Sequence, residues 1–121
     1  MRIFKTEEYA NMHIENPEEI YRAPILTEEH EGNALNGIVV VVPPGSEGSP
    51  HYHKERESLF IVISGEAVEL IEGEEVPIRV GDVFFIPPGK VHTIANRSDK
   101  DFRVLEFFTH PPVGADFHPV E

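Results

Sequence analysis

Cysteine is absent from this 121-residue chain. That excludes disulfide staples, thiolate nucleophiles and sulfur-ligated metals. The fold must rest on its own core, which one domain of this length can bury. An intracellular origin fits the same absence. Positive charge is scarce, with 10 Lys and Arg against 22 Asp and Glu, a formal net charge of −12. Such a surface repels nucleic-acid phosphates and anionic lipid, so no nucleic acid and no membrane are expected as partners. The acidity itself reads as a solubility feature. Long apolar runs are missing too. The longest purely aliphatic stretch is 38–42, strand length and far short of the ~20 residues of a membrane helix. The first residues carry no apolar run of signal-peptide type, and the expected location is cytoplasmic. No helical period persists for ten residues. There is no internal repeat, phosphate-cradling loop, nucleophilic triad signature or nucleotide fingerprint.

What remains is a series of short β-branched and aromatic segments between Gly, Pro, Asp and Asn turns. Strands are expected over 22–26, 38–42, 59–63, 66–71, 76–80, 83–86, 91–95 and 102–108. The continuous run 38–42 reads as buried on both faces or packed at an interface. Residues 72–75 form a hairpin turn, and Pro77 puts its strand at an edge or in an irregular position. Asn16 and Pro17 suit the cap and first position of one helical turn at 17–21. The tail beyond 110 holds too many breakers for a regular element. The pattern is all-β, sandwich or barrel. It divides into an amino-terminal arm (1–36), a β-barrel (37–110) and a carboxy-terminal tail (111–121).

The sharpest chemical feature is His51-Tyr-His53. Alternation along a strand sends both histidines to one face, ~6.6–6.8 Å apart along the chain, from where two imidazoles can converge on one ion at ~2.0–2.1 Å. Glu57 has the same parity. On an unbroken strand it adds an anionic oxygen while Ser58 faces away. His92 comes after a Pro87-Pro-Gly89 turn that could aim it at the first pair. On spacing alone, hydrogen-bonded histidines without a metal remain an equal reading.

These residues carry a resemblance. Gly45, five residues, His51-x-His53, three residues and Glu57 are spaced as in the first motif of the cupin superfamily. Gly81, Pro87, Gly89, His92 and Asn96 match the second at every spacing. The similarity covers 45–96, with fifteen residues between the motifs. One departure stands out: seven residues separate Glu57 from the next glycine, Gly65, one more than the motif has. Counted back from Gly65, Ser58 takes the glutamate position. A one-residue β-bulge after Glu57 would reconcile the counts.

The resemblance implies a jelly-roll barrel (double-stranded β-helix) with a divalent transition metal near its mouth, held by His51, His53, Glu57 and His92. Mixed nitrogen and oxygen donors suit Fe, Mn, Ni, Co or Zn without choosing among them. It implies a metal-dependent enzyme acting on a small molecule, of dioxygenase, isomerase, lyase or decarboxylase type. The alternative is a non-catalytic ligand-binding or sensor cupin. A metal-free epimerase-type cupin is disfavoured by the complete ligand set. A homodimer is expected, with the 38–42 run and the arm as contact surfaces. His13, His30, His110 and His118 are loop histidines that could cover the pocket. Lys54 and Arg56 read as a solvated rim, Ile94 as cavity-facing by its parity with His92. Phe60, Phe84, Phe85, Phe102, Phe107 and Phe108 are core or interface, and Pro87, Gly89 and Asn96 are turn residues.

Overall fold

The computed structural model describes residues 1–27, 34–109 and 115–120. One helix, α1 (Thr6–Asn11), precedes ten strands: β1 (Tyr21–Leu26), β2 (Leu35–Val42), β3 (His51–Tyr52), β4 (Ser58–Ser64), β5 (Glu66–Ile71), β6 (Glu74–Arg79), β7 (Val83–Ile86), β8 (His92–Ala95), β9 (Phe102–Thr109) and β10 (His118–Pro119). They form two antiparallel sheets in the orders β1-β2-β9-β4-β7 and β10-β3-β8-β5-β6. This is the expected all-β jelly roll. No described helix is long and apolar enough to cross a membrane.

Alternation builds the core. Ile38, Val40 and Val42 of β2 meet Phe60 and Val62 of β4, Ala67 of β5, Ile78 of β6, Ile86 of β7 and Phe102, Val104 and Phe108 of β9. The odd positions of β2 are buried as well: Val39 and Val41 are each 1 % exposed. The amino-terminal arm packs on this sheet. Phe4 meets the Phe107 ring edge-on at 5.3 Å, and Arg103 donates to the carbonyls of Tyr9 and Met12. The aliphatic run is therefore buried on both faces within the chain and is not the contact surface expected of it. Apolar side chains left exposed on this sheet include Leu59 of β4 and Val83 and Phe85 of β7, with Leu59 opposite Phe85 in the register.

Other departures are local. The 72–75 turn is a tight Glu72-Gly73 loop with both φ positive, 48° and 81°, the backbone that two-residue hairpins require, so β6 starts earlier than expected. Pro77 does lie on an edge strand. At 17–21 there is a turn in which the Glu19 N–H donates to the Asn16 carbonyl. The helix forms earlier, at α1, with no buried residue and no side-chain cap. The tail is not wholly irregular, because β10 pairs with β3. The bulge expected after Glu57 is not there: β4 slips against β9 only between Val62 and Ser64, and with Ser58 facing inward the count back from Gly65 is the one the structure follows. The slip sits at the far end of β4 and leaves the strand's alternation from Ser58 to Val62 intact.

Candidate metal centre

β3 and β8 are neighbours, and His51 lies directly opposite His92. The ring centroids are 4.4 Å apart for that pair, 5.0 Å for His51 and His53, and 5.4 Å for His53 and His92. One ring nitrogen from each lies within 4.8 Å of the others. In every case Nδ1–H donates to a backbone carbonyl: Ser49 for His51 at 2.8 Å, Asp116 for His53 at 2.7 Å, and Lys90 for His92 at 2.9 Å. That fixes one tautomer three times and leaves Nε2 with its lone pair free, as metal-ligating histidines are usually prepared. Burial lowers the pKa of all three, and neighbouring cationic groups add to it. For His51 burial is foremost, then His92, Arg22 and Arg56, and its pKa falls to about 4. His53 and His92 shift the same way, for burial first. Neutral imidazoles with converging lone pairs are a donor set that fits a divalent transition metal.

Glu57 does not join them. β3 ends at Tyr52, so the parity that linked residue 57 to the histidines is broken by the loop at 53–57. That loop wraps around the Asp116 carboxylate, which accepts from the N–H groups of Lys54 at 2.8 Å, Glu55 at 2.7 Å and Arg56 at 3.1 Å. When β4 begins, Ser58 faces the interior and Glu57 is exposed; the Glu57 N–H donates to the Thr109 hydroxyl and its carbonyl accepts from the Thr109 N–H.

The tail supplies what spacing could not reveal. Phe117 stacks on His51 at 4.5 Å and meets His53 edge-on. His118 stacks on Tyr52 at 5.0 Å and donates to Asp116. The lid reading thus holds for His118 only as a clamp on β3. His13 is exposed, and His30 and His110 lie outside the described residues. The second motif also acts on the first: Gly89, at φ 85°, donates its N–H to the His53 carbonyl at 2.6 Å. Asn96 is 1 % exposed. Its amide donates to the carbonyls of Val42 and Lys100 and accepts from Ser98, locking the 96–101 connection.

The histidines open onto a cavity of about 540 Å³ whose lining includes Arg22, Arg56, Phe60, Glu69, Ile94 and Glu106. Ile94 faces it as expected, whereas Phe84 stacks behind Phe60 and Phe85 points outward. Lys54 is exposed, but Arg56 is 6 % exposed and no solvated rim residue. Its guanidinium covers the Phe108 ring at 4.2 Å and donates to the Ala115 carbonyl at 2.9 Å, while Nε has no partner among the described residues. Glu69 and Glu106 are carboxyls on the inward side of β5 and β9. Burial, then mutual repulsion, pushes Glu69 up to about 8. Burial also raises Glu106 against the opposing pull of Ser58, Arg56 and Arg22. Neither was singled out from the sequence, though a signal existed: each is a charge at the apolar parity of its strand.

Comparison with known proteins agrees with this fold. Residues 38–108 match the family described as Cupin domain. An oxalate-binding protein of Thermotoga maritima is 32% identical over 88 residues, 72% of this chain and 73% of that one. A double-stranded β-helix protein from Klebsiella pneumoniae superposes with a TM-score of 0.76 at 29% identity, covering 100% of this chain and 98% of that one. A predicted oxalate decarboxylase from Thermotoga maritima gives 0.73 at 27%, covering 91% of this chain and 100% of the other.

Proposed function

Given that this chain belongs to the cupin family, we propose that it is a metal-dependent enzyme acting on a small acidic molecule bound in the cavity. The observation that carries the reading is the set of three neutral imidazoles, each with Nδ1 tied to a carbonyl and Nε2 free, converging at the cavity wall. His51, His53 and His92 would hold one divalent transition metal, and the metal would supply Lewis-acid polarisation of a bound oxygen. The remaining work falls to the chain. Arg22 and Arg56 place positive charge on the same cavity, which favours an anionic ligand. Phe117 shields the histidines from solvent on one side. Glu69 retains a proton inside the cavity at neutral pH, as a carboxylic acid in an apolar site can. A proton held beside the ligand favours isomerase-, lyase- or decarboxylase-type chemistry over the dioxygenase type. A cytoplasmic homodimer belongs to the same reading, with Leu59, Val83 and Phe85 as the face that a second copy covers.

Elemental analysis of protein never exposed to chelator should find one transition metal per chain. The metal-loaded protein should then turn over a member of a panel of keto acids, hydroxy acids and sugar phosphates. A chain purified without metal that takes up none refutes the proposal. A second reading, ligand binding without turnover, is favoured by the name of the Thermotoga oxalate-binding relative. It predicts saturable oxalate binding by a metal-loaded protein that is silent across the panel.

A further inference from the structure

The carboxylate expected at position 57 is turned to solvent, and the residue facing inward at the start of β4 is Ser58, 2 % exposed. Its hydroxyl donates to Glu106 Oε2 at 3.0 Å. Glu106 stands on the adjacent strand β9, opposite Phe60, and lines the same cavity as His51, His53 and His92. We propose that Glu106 is the anionic donor of the three-histidine centre, delivered from β9 to the place that Ser58 leaves open. The inference rests on the metal-binding reading above.

The state of Glu106 supports it. Among the described residues its carboxylate has a single hydrogen bond, from Ser58, and no cationic nitrogen within ion-pair distance. A carboxylate can accept about four bonds, so most of its acceptor capacity is unspent among the described residues. Arg22 and Arg56 line the same cavity, but among the described residues neither makes an ion pair with Glu106, and Arg56 is committed to the Ala115 carbonyl and the Phe108 face. The three histidines spend Nδ1 on backbone carbonyls and give Glu106 no hydrogen bond either. A divalent ion among them would satisfy both sides at once. Glu106 lies outside the group whose ligand atoms come within 4.8 Å of one another. Ligation would require the side chain to leave its bond from Ser58 and turn toward the histidines, and among the described residues that single hydrogen bond is all that holds it. Glu69 faces the cavity from the other sheet, opposite Ile94, and has no link to the start of β4.

Zn(II) and Mn(II) affinities of the full chain, measured by competition with a chelating indicator, test this. Glu106→Gln should weaken both ~10–100-fold, the usual effect of losing a group that supports a metal site. Ser58→Ala should weaken them by a smaller factor, and Glu57→Gln should leave them within about twofold of wild type. The double variant Ser58→Glu with Glu106→Gln returns the carboxylate to β4 and should recover most of the loss. That recovery also shows that the single variant's effect is not misfolding. Wild-type affinity in Glu106→Gln, a larger loss in Glu57→Gln or Glu69→Gln than in Glu106→Gln, or an unrescued double variant would overturn the assignment. His92→Ala separates the two claims. If it abolishes binding while Glu106→Gln does not, only this inference fails. If it binds as wild type, the histidine site itself is wrong.

Discussion

Replacing Asp116 with alanine should damage the candidate metal centre without touching His51, His53 or His92. The side chain of this residue accepts from the N–H groups of Lys54, Glu55 and Arg56, and its carbonyl receives Nδ1–H of His53. Burial of the carboxyl would raise its pKa, but the three N–H bonds and His118 more than offset that and hold it well below the usual carboxylate range. The carboxylate is therefore ionised at neutral pH. Lys54 and Glu55 are exposed, and water can replace the lost acceptor at their N–H groups. The Arg56 position is buried, so one unpaired N–H there costs ~1–3 kcal/mol, which sets the expected loss of stability. The loop also fixes the position of His53, whose partner carbonyl belongs to the altered residue. A group that orients a metal-ligating histidine typically supports affinity by ~10–100-fold. Zn(II) titration should show that loss, and urea unfolding of the chelator-treated protein should show a loss of stability of ~1–3 kcal/mol. If Asp116→Ala binds metal as wild type does, the claim that the tail orients His53 is wrong, even if stability falls as expected.

His51 has a folded pKa of about 4 against an ordinary 6.5, so the stability it contributes is complete above 6.5 and lost as pH falls through 4. His53 and His92 act in the same sense, and urea midpoints of metal-free protein should fall across that window. A flat profile there would show that the histidines are not buried in the neutral form. Glu69 has the opposite sign. Raised from 4.5 to about 8, it stabilises below 4.5, and that contribution disappears as pH rises through 8. At ~1.4 kcal/mol per pH unit, Glu69→Gln should raise alkaline stability by up to several kcal/mol relative to wild type, read from thermal unfolding at pH 9 against pH 5. Gly65→Ala should destabilise by ~2 kcal/mol or more, because Gly65 has φ 79° and an added Cβ would collide with the Asp101 carbonyl. An unchanged unfolding midpoint would refute the strain argument.

The strands were legible from β-branched alternation, and the part of the site on and just after β3 and on β8 was legible from the spacing of His51, His53 and His92. Both signals are local: a pleat repeats every two residues, and a turn of fixed length aims the strand after it. The helix α1 was not legible, because it buries nothing of its own and lies against β4. The burial of both faces of the 38–42 run could be read, but not that the chain's own arm packs on the same sheet, at Phe107 and Arg103 of β9.

Glu57 shows where local reading fails. Parity carries information only while a strand continues, and β3 stops one residue before His53. What stops it is the carboxylate of Asp116, 62 residues from Lys54, an interaction that no window of sequence contains. The same long-range closure brings Phe117 onto His51, turns Arg56 inward and brings Glu106 of β9 against Ser58 of β4. By itself, then, the sequence determined the β architecture and the three imidazoles. Only the tertiary structure decided which carboxylates share their cavity, because that depends on which strands become neighbours and on how a loop between them resets the alternation.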